Sequence, residues 1–263
     1  MPVQLRAPAR RGRTRGAPAP PHPVGDWKIV ALRLVGGAIA LWGLLSLIGL
    51  FVTHVLAHGR VHRLDLGVDV WFAAHRTAAF NHLTAVGAGL AETQTAIAVT
   101  VVVVLVLRWR LGRWYESCVL IAATAGELLI FLAITATVHR PRPPVVRLDA
   151  GLATSSFPSG HTAAATALYG CIAILLVRTY GRRPATRVAV VAAFCLPVIV
   201  ALSRLYRGMH YPTDVMAGAL TGGLWLLVVI STLLPRQDTG KRDGTDRPRR
   251  TRESRGRRRK VRA

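Results

Sequence analysis

Six stretches of this chain are long and almost wholly apolar, and they leave few ways for it to fold. They run over 29–57, 83–107, 115–138, 158–177, 188–202 and 213–234. A hydrocarbon core about 30 Å thick is crossed by roughly 20 such residues wound as an α-helix. Lipid offers no partner to a backbone amide or carbonyl, so a spanning helix must satisfy its own hydrogen bonds. The expected fold class is all-α: a polytopic membrane protein with a six-transmembrane-helix bundle. The first run is too long for a signal-peptide core and reads as a retained anchor. The fifth is short, and Pro197 within it is expected to bend it.

Charge then orients the spans. The chain carries 35 Lys and Arg against 12 Asp and Glu. The tail, 235–263, holds 13 basic and 4 acidic residues; the head, 1–28, holds 6 and 1. Both ends are rich in Arg, Pro and Gly without apolar periodicity, so both are expected to be disordered. The chain thus divides into a basic head (1–28), a membrane domain (29–234) and a basic tail (235–263). Beside a bilayer, such ends are drawn to anionic lipid headgroups, at about 1 kcal/mol per basic residue; nucleic acid is not an expected partner. Sorting the loops places 26 basic residues on the side of the two ends and 8 on the other. The positive-inside bias puts both termini in the cytoplasm of a multi-pass protein of the plasma (inner) membrane, and the opposite loops outside. Cys118, Cys171 and Cys195 lie inside apolar runs without paired spacing, which suits neither a disulfide framework nor a metal site.

Three short motifs lie at the outer ends of these runs. Pro158-Ser159-Gly160-His161 directly precedes an apolar helix. The amides of Ser159, Gly160 and His161 are expected at its positive end, where phosphate binds readily. Gly160 would let a ligand approach the backbone, although a serine before a helix is also an ordinary N-cap. Ser203-Arg204 is followed by His210 and Asp214, with Pro212 placed for the first turn of the sixth helix. An aspartate accepting from one imidazole nitrogen would fix the tautomer and leave the other nitrogen as a nucleophile. Arg140-Pro141-Arg142-Pro143 forms an extended segment, from which Arg142 could clamp two phosphate oxygens.

Together these residues closely resemble the type 2 phosphatidic-acid phosphatase superfamily, whose pattern is Lys-x6-Arg-Pro, Pro-Ser-Gly-His and Ser-Arg-x5-His-x3-Asp. The second and third parts match completely, at Pro158–His161 and at Ser203, Arg204, His210 and Asp214. The first matches at Arg142-Pro143, but Thr135 occupies the lysine position. The resemblance implies a membrane lipid phosphatase working on a lipid phosphate or diphosphate, such as an isoprenyl diphosphate or phosphatidic acid. It implies that His210 attacks phosphorus to form a phosphohistidine, oriented by Asp214, and that His161 protonates the leaving oxygen. Arg142, Arg204 and the amides of Ser159 and Gly160 would hold the phosphate oxygens. Neither metal nor cofactor is expected. Thr135 lacks the cation's field; Arg140 is the residue that could swing in to replace it. The competing reading is a catalytically weak or inactive membrane protein binding lipid or a partner through its basic ends.

Three further features need a place. Leu64, Val68, Trp71 and Phe72 recur at helical spacing with Asp65 and Asp69 opposite, which reads as an amphipathic helix in the outer interface or as a packing connector. Glu92 and Glu127 each fall about ten residues inside a run, so they are candidates for function or for a protonated pair joining two helices. Gly218 and Gly222 give a small-xxx-small spacing suited to close packing within the bundle.

Overall fold

The computed structural model describes residues 26–150 and 154–234. All but three residues of the head, and the whole tail, lie outside the described residues, and so does the disorder expected of them. The elements are α1 (Trp27–Leu50, continued by a π-helical turn at Phe51–Val55), α2 (Arg60–Ala74), α3 (Ala78–Gly89), α4 (Thr93–Leu111), α5 (Tyr115–Thr137), α6 (Gly160–Tyr180), α7 (Pro184–Tyr206) and α8 (Pro212–Leu233). Among the described residues there is no strand. Six of the helices are long and apolar enough to span a membrane: α1 with its extension, α4, α5, α6, α7 and α8. At about 1.5 Å per residue, α4, the shortest of them, reaches nearly 30 Å. Large apolar side chains such as Val101, Leu105, Leu129, Val188 and Leu227 stand exposed on the bundle's outside. In water such a surface would aggregate; against acyl chains it costs nothing.

Local sequence explains the ends. Asp26 caps α1 by accepting from the Lys28 amide at 3.1 Å. Proline opens both α7 and α8, where its missing N–H is no loss. Gly112, with φ 68°, ends α4 in the left-handed conformation that glycine tolerates best.

The second expected span is corrected. Instead of one helix over 83–107, the chain breaks at Leu90–Glu92 between α3 and α4. The run is apolar on both sides of the break, so hydropathy passes over it. Glu92 stands at the N-cap position of α4 and is exposed, so it forms no buried pair with Glu127. Glu127 is buried in α5, and its Oε1 has no hydrogen-bond partner among the described residues. The fifth span is longer than expected, at 23 residues, with Pro197 inside it.

α6 is the centre of the bundle, packed by α5, α7 and α8. A Cβ on Gly218 would collide with the Ser159 carbonyl, and one on Gly222 with that of Ala163. The two glycines therefore let α8 lie against the N-terminal turn of α6, the close packing their spacing suggests. That contact places the second and third motifs side by side.

α2 differs from expectation in which face it hides. Leu64 and Trp71 are exposed, whereas Asp65 and Asp69 are buried. The helix turns its acids into the protein, toward α7 and α8.

Candidate active site

The last turns of α5 and α7 and the first turns of α6 and α8 meet at one end of the bundle. Residues 138–150 and 154–159, together with α2, cover that end. His210 stands in the turn between α7 and α8 and is 4% exposed. Its Nδ1 lies 2.7 Å from the Ser156 carbonyl oxygen and 4.0 Å from Asp214 Oδ2. A carbonyl can only accept, so Nδ1 carries the proton and Nε2 keeps its lone pair. The tautomer expected from the His–Asp spacing is thus set by a backbone oxygen of Ser156, and Asp214 stands just beyond hydrogen-bonding distance. Burial, reinforced by Arg204 and Arg142, drives the His210 pKa well below 6.5, against the opposing pull of the Ser156 carbonyl. The ring is therefore neutral at pH 7.

His161, in the first turn of α6, lies within Coulombic reach of Arg204, Asp149 and Arg142. His210 in turn feels Arg204, Arg142 and His161. The two histidines and two arginines singled out by the motifs are thus brought together. Arg204 is 6% exposed, and its Nη1 donates to Asp149 Oδ2 at 2.9 Å. Arg142 donates from Nη1 to the Met209 carbonyl at 2.7 Å. In both arginines the buried Nε has no partner among the described residues. An open recess of about 420 Å³ lies beside Arg142, Arg147 and Thr154; neither histidine lines it.

Several expected roles shift. The Ser159 amide donates to the Asp214 carbonyl at 2.9 Å, so it is not free for a ligand. Gly160 and His161 occupy the first turn of α6, where backbone amides have no acceptor within the helix. A Cβ on Gly160 would stand 2.7 Å from the Phe131 ring, so this glycine serves the packing of α6 on α5. Thr135 hydrogen-bonds back to the carbonyls of Phe131 and Leu132, at 3.1 and 3.0 Å, within its own helix.

Arg140 does not substitute for the missing lysine. It is 5% exposed, and Nη1 binds Asp214 Oδ1 and, at 2.7 Å, Thr213 Oγ1. Its Nη2 donates to Asp65 Oδ2 at 2.9 Å. The guanidinium carbon lies 4.3 Å from the centre of the Tyr211 ring. Asp214 Oδ2 accepts from Ser156 Oγ at 2.5 Å and from the Tyr211 amide at 2.9 Å. Sequence reasoning did not find Ser156, Asp149 or Arg207, nor the inward aim of Asp65. Arg207 grips Asp149 in a fork, at 2.8 Å from Nε and 2.5 Å from Nη2 to Oδ1. An aspartate two residues past Arg147 offered no spacing signal; only the fold brings it to Arg204.

The fold and the converging motifs define a polytopic helical membrane protein with its polar centre at one end of the bundle. Residues 116–238, a little under half of the chain, match the model of the PAP2 superfamily. The decaprenylphosphoryl-5-phosphoribose phosphatase of Mycolicibacterium smegmatis is 38% identical over 104 residues, covering 37% of this chain and 51% of that protein. Phosphatidylglycerophosphatase B of Bacillus subtilis is 28% identical over 117 residues, covering 44% and 57%. The chain spans about half the length of these curated relatives. The crystal structure of a transmembrane PAP2-type phosphatidylglycerolphosphate phosphatase from Bacillus subtilis superposes with a TM-score of 0.63. It is 21% identical, and the match covers 76% of this chain and 95% of that one. That likeness bears out the helical fold.

Proposed function

We propose that this protein is an integral-membrane lipid phosphatase that transfers phosphate through a phosphohistidine without a metal ion. The observation that carries the reading is a neutral, buried His210 whose Nδ1–H is fixed on Ser156, set among guanidiniums with unspent buried donors. His210 Nε2 attacks phosphorus, the bond from phosphorus to the lipid oxygen breaks, and His161 gives that oxygen its proton. Water then attacks phosphorus, the phosphorus–nitrogen bond breaks with its electron pair returning to His210 Nε2, His161 takes the water's proton, and orthophosphate leaves. Arg142, Arg204 and the amides of Gly160 and His161 meet the charge on the equatorial oxygens. An unmatched buried N–H costs roughly 1–3 kcal/mol, which a phosphate oxygen would relieve.

The substrate is a phosphate or diphosphate on a lipid whose tails stay in the bilayer. The named relatives act on such lipids: a decaprenylphosphoryl sugar phosphate and a phosphatidylglycerophosphate. Isoprenyl diphosphates and phosphatidic acid belong to the same class. The charge bias of the loops supports an outward-facing site in the plasma membrane with both termini in the cytoplasm. Anionic headgroups would hold the basic ends.

Phosphate release by the detergent-purified protein, in excess EDTA, across these lipids tests the reading beside a His210→Ala variant. Release should survive chelation and fall by about a thousandfold or more in the variant, as expected when a covalent nucleophile is removed. Release that stops on chelation, or persists in His210→Ala, overturns the mechanism.

A further inference from the structure

Behind the histidines lies a second polar cluster that the proposed reaction does not use. Asp65, on α2, accepts from Arg140 Nη2 at 2.9 Å, from Thr213 Oγ1 at 2.5 Å and from the Thr213 amide at 3.2 Å. Arg140 bridges Asp65 and Asp214, and Asp214 accepts from the Ser156 hydroxyl. The Ser156 amide donates to the Arg140 carbonyl at 2.9 Å, and its own carbonyl receives the His210 Nδ1–H. These bonds form one continuous path from the interfacial helix to the imidazole. Asp65 and Arg140 are both at most 5% exposed, so neither is a solvated surface pair.

The geometry points to Asp65 and Arg140 as positioning residues for catalysis: through Asp214 and Ser156 they fix the ring of His210. The inference rests on the reading of His210 as nucleophile. It places part of the working site on α2, outside the 116–238 segment matched by the superfamily. Asp65 touches no atom that would react. Its contribution is to balance Arg140, which would otherwise be free to turn its full charge on Asp214 or to leave it. With Asp65 in place, Arg140 Nη1 stays on Asp214 Oδ1, so Oδ2 remains available to Ser156 and the Tyr211 amide. A shift in that mount moves the Ser156 carbonyl and hence Nε2 relative to phosphorus. Because a displacement of about 1 Å far from the chemistry can cost a hundredfold in rate, the effect falls on turnover while the phosphate-holding Arg142 and Arg204 keep their places.

The test uses the full chain in detergent with a lipid phosphate that the wild type hydrolyses and His210→Ala does not. Asp65→Asn keeps the side-chain shape and removes the charge. It should lower kcat by about 10- to 100-fold, with KM and inhibition by orthophosphate changed less than about threefold, since orthophosphate is held by the arginines without a bond to His210. Asp65→Glu should restore part of kcat. If Asp65→Asn does not fold, Thr213→Val removes one hydroxyl of the same mount without touching a charge and should show the same split at smaller size. Asp65→Asn and Arg140→Gln together should be no worse than the weaker single variant, because both cut one path. A kcat at the wild-type value per folded molecule, or a loss carried by KM and orthophosphate affinity, overturns this inference and leaves the phosphatase reading intact. A wild type silent on every lipid phosphate overturns both.

Discussion

On one flank of His210 the guanidiniums keep donors unspent; on the other, both terminal nitrogens of Arg140 are spent on carboxylates. Arg140 and Arg142 are two residues apart in one Arg-Pro-Arg-Pro segment, yet they face opposite fates. Both line the open recess, but the Arg142 Nε is unmatched among the described residues. Arg140 is buried between Asp65 and Asp214. Removing one partner of a buried pair leaves an uncompensated charge, at a cost of about 3–5 kcal/mol, so Arg140 is not available to an incoming anion. An arginine with spare donors can receive a ligand; one already balanced can only hold a neighbour. Motif spacing does not distinguish the two.

Arg142→Ala strikes the first flank hardest. It should reduce kcat/KM by about 10²–10³, the usual loss for one donor to transition-state charge, while the melting temperature in detergent stays close to that of the wild type. A variant with normal kcat/KM but a much lower melting temperature would show that Arg142 is structural, like Arg140, and the contrast would collapse.

Asp149 is a carboxylate on the cationic flank, and it sharpens the comparison. It pairs with Arg204 at 2.9 Å and with Arg207 at 2.5 Å. Burial alone would raise its pKa, but the Arg207 hydrogen bond and the charges of Arg204, Arg207 and His161 outweigh that and hold it below 3.8. It is therefore an anion lying where a phosphate would meet Arg204. Asp149→Asn should tighten vanadate or orthophosphate inhibition by up to about fivefold, the range set by a partly exposed ion pair. Weaker inhibition would make Asp149 the mount of Arg204 rather than its competitor.

Much of the fold was legible because lipid imposes a length on each spanning helix, and six apolar runs give six spans. The break at Leu90–Glu92 was not, since hydropathy averages over a window much longer than three residues. The helix-end motifs were legible because each holds its residues within a few positions of one another. Ser156 was hidden because what matters is its backbone carbonyl, a group every residue carries. Asp65 was misread for a physical reason: on an amphipathic helix in the interface, the acidic face is assumed to seek water. Here it meets an arginine 75 residues away in sequence.

Asp69 makes the last and smallest test, one turn along α2 from Asp65. It is wholly buried, and neither carboxylate oxygen has a partner among the described residues. Burial, then repulsion from Asp65 and Asp214, raises its pKa to about 8 against a smaller opposing pull from Arg140. In the native protein Asp69 thus keeps a proton up to about pH 8 that the unfolded chain releases near 3.8. Between those values the native state binds one proton more, so stability declines as pH rises through that window and is flat below it. For one proton the slope cannot exceed about 1.4 kcal/mol per pH unit. Asp69→Asn carries no such proton. Its melting temperature should therefore fall less between pH 5 and pH 8 than that of the wild type, with kcat at pH 6.5 altered less than about twofold. An unchanged slope would mean that Asp69 is ionised. Arg140 would then face three anions, and Asp65 could no longer be the charge that balances it.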